Sequence, residues 1–119
     1  MKEVEKNCVV VKKQFRNYRV SINQSDKINY LISDEIKKNL FELIRNPKSN
    51  LILNLSNIKF IDSSGLAVLD LIARVSEIVG STFTVIKANS EIVELFELAK
   101  HHRGIRFNYI ETNKPNSIM

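Results

Sequence analysis

The sequence predicts an α/β domain: a mixed β-sheet with its helices packed on one face. Three observations carry that expectation. Tyr18-Arg19-Val20-Ser21-Ile22 alternates apolar and polar residues, as a half-buried strand does. Leu51-Ile52-Leu53-Asn54-Leu55 is almost wholly apolar, the pattern of a strand covered on both faces. Between and after these runs lie segments whose apolar residues recur at helical spacing, and strands separated by helices pair in parallel.

The elements follow in order. Val9-Val10-Val11 and Tyr18–Ile22 read as two strands joined by a turn near Arg16-Asn17, an opening hairpin that makes the sheet mixed. Ser33 is placed to cap a helix running to about Arg45, with Asp34 and Glu35 in its positive first turn. Ile36, Leu40, Leu43 and Ile44 form its apolar stripe, and Asn46-Pro47-Lys48 stops it. After the Leu51–Leu55 strand, Ile58-Lys59-Phe60-Ile61 leads into a second helix from about Ser64 to Val79. Its stripe is Val68, Leu71, Ile72, Val75 and Val79, and Gly80 suits the left-handed position beyond its end. Leu66 and Leu69 fall off that stripe, to pack on neighbouring elements or to meet a partner. Thr82–Ile86 is the next strand, Ser90 caps a helix to about Lys100, and Ile105 to Ile110 forms a last strand at an edge.

Composition bounds the function. The chain has 119 residues, 44% hydrophobic and 26% charged, enough for one domain whose core spans about residues 8–110. No run approaches the ~20 apolar residues of a membrane span, and the first fifteen residues do not form a secretory signal. Cys8 is the only cysteine, which excludes an internal disulfide and a cysteine-based metal cluster. It reads as a small core residue rather than a redox switch. His101 and His102 are adjacent and so point to different sides, which suits a solvated pair better than a metal site. These counts fit a reducing, cytoplasmic setting with no cofactor. The net charge of +5 is concentrated at the ends: residues 1–19 carry six Lys/Arg against two Glu, and residues 100–119 four against one. The body between them, with eight basic and ten acidic residues, is slightly acidic, so the basic residues read as terminal arms and no nucleic-acid surface is expected.

One stretch has functional character: Phe60-Ile61-Asp62-Ser63-Ser64-Gly65-Leu66, where a strand region ends and a helix begins. Asp62 and the serines offer oxygens to the free amides of the first helical turn. The positive end of the helix dipole favours a negative charge there, including a phosphate on an exposed hydroxyl. Gly65 removes a side chain and lets a partner approach the backbone. The plain alternative is a polar helix cap with a spare serine. The flanks do not form the G-x-S-x-G pattern of a nucleophilic serine, and no histidine is tied to it as a base.

Asn54-Leu55 followed by Ile58, Phe60 and Ile61-Asp62-Ser63-Ser64-Gly65-Leu66 resembles the signature of the STAS domains of bacterial anti-sigma factor antagonists. The likeness extends over roughly residues 8–110 and implies a single STAS-like domain without enzymatic activity. It implies phosphorylation of Ser63 by a partner that is both serine kinase and anti-sigma factor. The unmodified protein would bind that partner and free a sigma factor; the phosphorylated one would let go. The implied binding surface comprises Asn29, Asp62, Ser63, Ser64, Gly65 and Leu66, on a monomer or weak dimer with no membrane contact. The resemblance also admits a STAS module of another assembly, such as a stressosome-like complex or a lipid-transport accessory. Where family members usually carry G-x-[IL]-D, this chain has Asp26-Lys27-Ile28-Asn29. Asn29 keeps the size and one acceptor of the aspartate and loses its charge; it reads equally as a turn residue.

Overall fold

Alternating side chains decide which side of the sheet meets the core. A computed structural model describes residues 2–6, 8–104 and 108–111. Along the chain run β1 (Lys2–Lys6), β2 (Val9–Gln14), β3 (Asn17–Ile22), β4 (Lys27–Ile28), α1 (Ser33–Ile44), β5 (Asn50–Asn54), β6 (Phe60–Ile61), α2 (Ser63–Val79), β7 (Thr82–Ala88), α3 (Ser90–Arg103) and β8 (Asn108–Glu111). Six strands form one mixed sheet in the order β1-β2-β3-β5-β7-β8. The β1, β2 and β3 strands pair antiparallel, and β3, β5, β7 and β8 pair parallel through the helical crossovers. The strand read as central, β5, is flanked by β3 and β7, and β8 lies at an edge as expected.

Register aligns the apolar residues. Tyr18, Leu51 and Phe83 stand side by side across β3, β5 and β7, and Val20, Leu53 and Val85 form the next row. All six are buried, and the helices cover them with Ile36, Leu40 and Ile44 of α1, Leu69 and Ile72 of α2, and Ile92 and Phe96 of α3. Burying each such side chain stabilises the fold by roughly 1.5–3 kcal/mol. The intervening residues face the other way, where none of the described helices packs. Ile52 is therefore only half-buried, and the Leu51–Leu55 run is covered on one face rather than on both.

Several boundaries differ from the sequence expectation for physical reasons. Residues 2–6, expected in a basic arm, form β1. Its register puts Glu3 opposite Lys12, and charge along an edge strand discourages further pairing. Ser33 is the first residue of α1, not its cap. The helix start is held instead by the Asn29 carbonyl, which accepts from the amides of Ile32 (3.1 Å) and Ser33 (2.9 Å). In α3 the cap is Asn89, whose Oδ1 accepts from Ile92 N–H at 2.8 Å, rather than Ser90. Helix α2 begins at Ser63, and Gly80 ends it in the left-handed region (φ 78°), as its position suggested. Its buried face is wider than one stripe, because α1 and β7 both pack on it. Leu66 and Leu69 are therefore buried, while Leu71 is 42% exposed. The expected strand start at 105–107, and the C-terminal arm from 112 on, lie outside the described residues.

Candidate functional site

A second, two-stranded parallel sheet builds the site. Ile28 of β4 lies in register with Ile61 of β6, and both side chains are buried. This pairing brings Asn29 and Tyr30 alongside Asp62. The Asp62 amide donates to the Ile28 carbonyl at 3.1 Å, which fixes the chain as it enters α2.

Asp62 is the N-cap of α2, with an extended backbone. Its Oδ1 accepts from the Gly65 amide at 2.9 Å and from the Ser64 hydroxyl at 2.6 Å. Its Oδ2 accepts from the Tyr30 amide at 3.0 Å. One carboxylate thus ties the first turn of α2 to the loop between β4 and α1. Desolvation pushes its pKa up, but the Ser64 hydroxyl and the Gly65 and Tyr30 amides outweigh that effect and hold the carboxyl below its ordinary value.

The two serines fall into different environments. Ser64 is half-buried and its hydroxyl is committed to Asp62. Ser63 is exposed, and its hydroxyl has no partner among the described residues. Asn29 stands beside the cap, but its Oδ1 accepts from Leu31 N–H at 3.1 Å, so its side chain shapes the turn into α1. Gly65 requires a correction. It is buried, and a Cβ there would lie 2.5 Å from the Ile28 carbonyl oxygen and 2.7 Å from its Cγ2. The backbone that approaches this glycine closely belongs to β4 of the same chain. Leu66 also needs one: it is 3% exposed and serves the core, so it can offer a partner only the wall of a hollow.

That hollow, about 270 Å³, opens beside Ser63 between α2 and α3, and Leu66, Leu95, Leu98, Ala99 and His102 complete its lining with Asp62. His101 and His102 are exposed on the last turn of α3, as a solvated pair should be. Tyr30 and Leu31 are 71% and 72% exposed on the loop tied to Asp62, and Phe60 is exposed on β6. Apolar side chains displayed around one polar centre are the composition of a contact surface. The sequence reading named none of Leu95, Leu98, Tyr30 and Leu31, and it placed Phe60 in the motif without reading it as exposed. The Tyr30-Leu31 pair just before a helix was the available signal. Among the described residues, no cluster of His, Cys, Asp and Glu could hold a metal ion, and no helix is long and apolar enough to cross a membrane.

The sheet order, the capped α2 and the β4–β6 bracket define a recognisable class. The chain belongs to the STAS domain family, whose model matches residues 10–113. No curated protein sequence matches it. Solved structures share the fold at low identity. A structure of TM1081 from Thermotoga maritima, described as a candidate anti-sigma factor antagonist, is 22% identical with a TM-score of 0.65, covering 87% of each chain. The unphosphorylated anti-sigma factor antagonist SpoIIAA is 13% identical with a TM-score of 0.66, covering 89% of this chain and 90% of its own. Phosphorylated SpoIIAA, from Bacillus, is 14% identical with a TM-score of 0.62, covering 89% and 94%.

Proposed function

We propose that this domain is an anti-sigma factor antagonist: a binding module, without catalysis of its own, that docks on an anti-sigma factor with serine-kinase activity and is switched by phosphorylation of Ser63. The observation that carries this reading is the contrast between neighbouring serines. Ser63 is exposed with an unengaged hydroxyl, while the Ser64 hydroxyl is held by Asp62 at 2.6 Å. A kinase needs a hydroxyl it can reach and orient, and only Ser63 offers one without breaking the cap.

The chemistry of the switch is local. A phosphate on Ser63 adds about −1.5 to −2 charge at the positive end of α2, where the folded domain tolerates it. A partner seated over Tyr30, Leu31 and the hollow beside Ser63 would have to desolvate that charge, and an unpaired buried charge is costly. Release then follows without refolding of the domain. The structures of SpoIIAA in unphosphorylated and phosphorylated forms support the reading by analogy, since both share this fold.

The test is to incubate the protein with its cognate anti-sigma kinase and ATP, then map the product by mass spectrometry. One phosphate on Ser63 is expected. Phosphate mainly on Ser64 would overturn the residue assignment. Absence of modification would contradict the switch and favour a STAS module of another assembly.

A further inference from the structure

The face of the sheet turned away from the helices carries a set of donors that the Ser63 switch does not use. Lys12 of β2 stands directly opposite Arg19 of β3, and Ser21 of β3 is in register with Asn54 of β5. With Ile52 and Ile86 these residues line a hollow of about 190 Å³ on the open face. Its lining includes two cations, a hydroxyl and a carboxamide, and no carboxylate. Asn54 Oδ1 accepts from the Ser56 amide at 2.8 Å, which leaves the NH₂ end of that side chain free to donate. Among the described residues, the Lys12 ammonium, the Arg19 guanidinium, the Ser21 hydroxyl and the Asn54 NH₂ have no hydrogen-bond or ion-pair partner. The acid in register with Lys12 is Glu3 on β1, which lies outside the hollow and forms no ion pair with it.

Like charges directly opposite each other on a sheet repel, and the repulsion is relieved when an anion sits between them. We propose that this hollow binds a phosphate-class dianion, either free phosphate or a small phosphate monoester. Two unpartnered cations match two negative charges. The Arg19 fork takes two phosphate oxygens in its plane, and Lys12 supplies a point charge from the neighbouring strand. Ser21 and Asn54 donate to the remaining oxygens, and Ile52 and Ile86 give an apolar floor for the organic part of a monoester. The site lies on the sheet face opposite α2, so it stands independently of the function proposed for Ser63.

The test is an amide NMR titration of the whole chain with inorganic phosphate and, separately, with phenyl phosphate, against sodium chloride at matched ionic strength. Saturable shifts are expected at Arg19–Ser21 and Ile52–Asn54, with a Kd of about 1 mM or tighter for inorganic phosphate and a fewfold gain for phenyl phosphate. Arg19→Gln should weaken binding about tenfold or more, and Arg19→Lys less, because lysine keeps the charge and loses the fork. Arg19 is exposed, so both variants should fold, which their thermal melts would confirm. Ser63→Ala should bind phosphate as the unmodified chain does. Shifts that chloride reproduces, or that survive Arg19→Gln unchanged, would overturn the proposal. So would saturable shifts confined to Ser63–Leu66. Equal affinity for the two phosphates would remove the apolar floor from it.

Discussion

Ser63 and Ser64 are adjacent and chemically alike, and one carboxylate separates their roles. Asp62 holds Ser64 and the Gly65 and Tyr30 amides, so the charge of that carboxyl matters to the fold. Its depressed pKa sets the sign of the effect: the stabilisation is present above the ordinary aspartate pKa of about 3.9 and is lost as pH falls through the lower folded value. Asp62→Asn keeps a capping oxygen and loses the charge. Urea unfolding should therefore show a variant less stable at pH 7, with the gap narrowing as pH falls below the ordinary aspartate pKa. A gap that widens in acid would contradict this account. Cys8 gives a second prediction. Burial first, and then the hydrogen bond and charge of Glu35, push its thiol up to about 11. The folded protein should resist iodoacetamide at pH 8 and react once unfolded; rapid labelling of the native state would contradict that. At this scale the sequence showed a capped helix start at Asp62-Ser63-Ser64-Gly65. It could not separate the serines by physics, because the Ser64–Asp62 bond is a matter of geometry. The role of Gly65 was hidden for the same kind of reason, since the strand that crowds it lies more than thirty residues earlier in the chain.

Helix α2 depends on two glycines for different reasons, and substitution separates them. Gly65→Ala places a methyl 2.5 Å from the backbone oxygen of Ile28, so β4 must move. Overpacking of that kind costs about 1–3 kcal/mol, and the displaced loop carries Asn29 and Tyr30 with it. Gly80→Ala meets no neighbour within 4 Å but strains a residue at φ 78°, for about 1–2 kcal/mol. Chemical denaturation should show losses for both, whereas amide shifts at Asn29–Leu31 should change only for Gly65→Ala. Unchanged stability of Gly65→Ala would contradict the close contact between α2 and β4. The hairpin, β5, β7 and the three helices were legible because their apolar residues keep a period of two or a helical period. The first strand was not, since its single apolar residue, Val4, sits among alternating charges. The two residues of β4 are too few to show any period. Caps shifted by a residue or more because a backbone carbonyl, at Asn29, or a neighbouring side chain, at Asn89, took the role assigned to a serine.

Among the described residues, all three helices lie on one face of the sheet and none lies on the other. That arrangement was expected for the domain, but the composition of β5 pointed to cover on both faces, because an apolar run reads the same whether one face is covered or two. The basic residues near the start of the chain are likewise set into the sheet, Lys12 and Arg19 among them, rather than held on an arm. The candidate switch lies at one end of the helical layer, where α2, α3 and the β4–α1 loop converge on Ser63. A charge there should act on the partner and not on the fold, and that is the central claim. Calorimetry of Ser63→Asp and Ser63→Ala against the cognate anti-sigma kinase tests it most directly, with circular dichroism confirming that each variant is folded. Ser63→Ala should bind as the unmodified domain does. Folded Ser63→Asp should bind about a hundredfold more weakly, a loss of about 2.7 kcal/mol. Binding of folded Ser63→Asp as tight as that of the unmodified domain would contradict the electrostatic switch and leave Asp62-Ser63-Ser64-Gly65 as a helix cap alone.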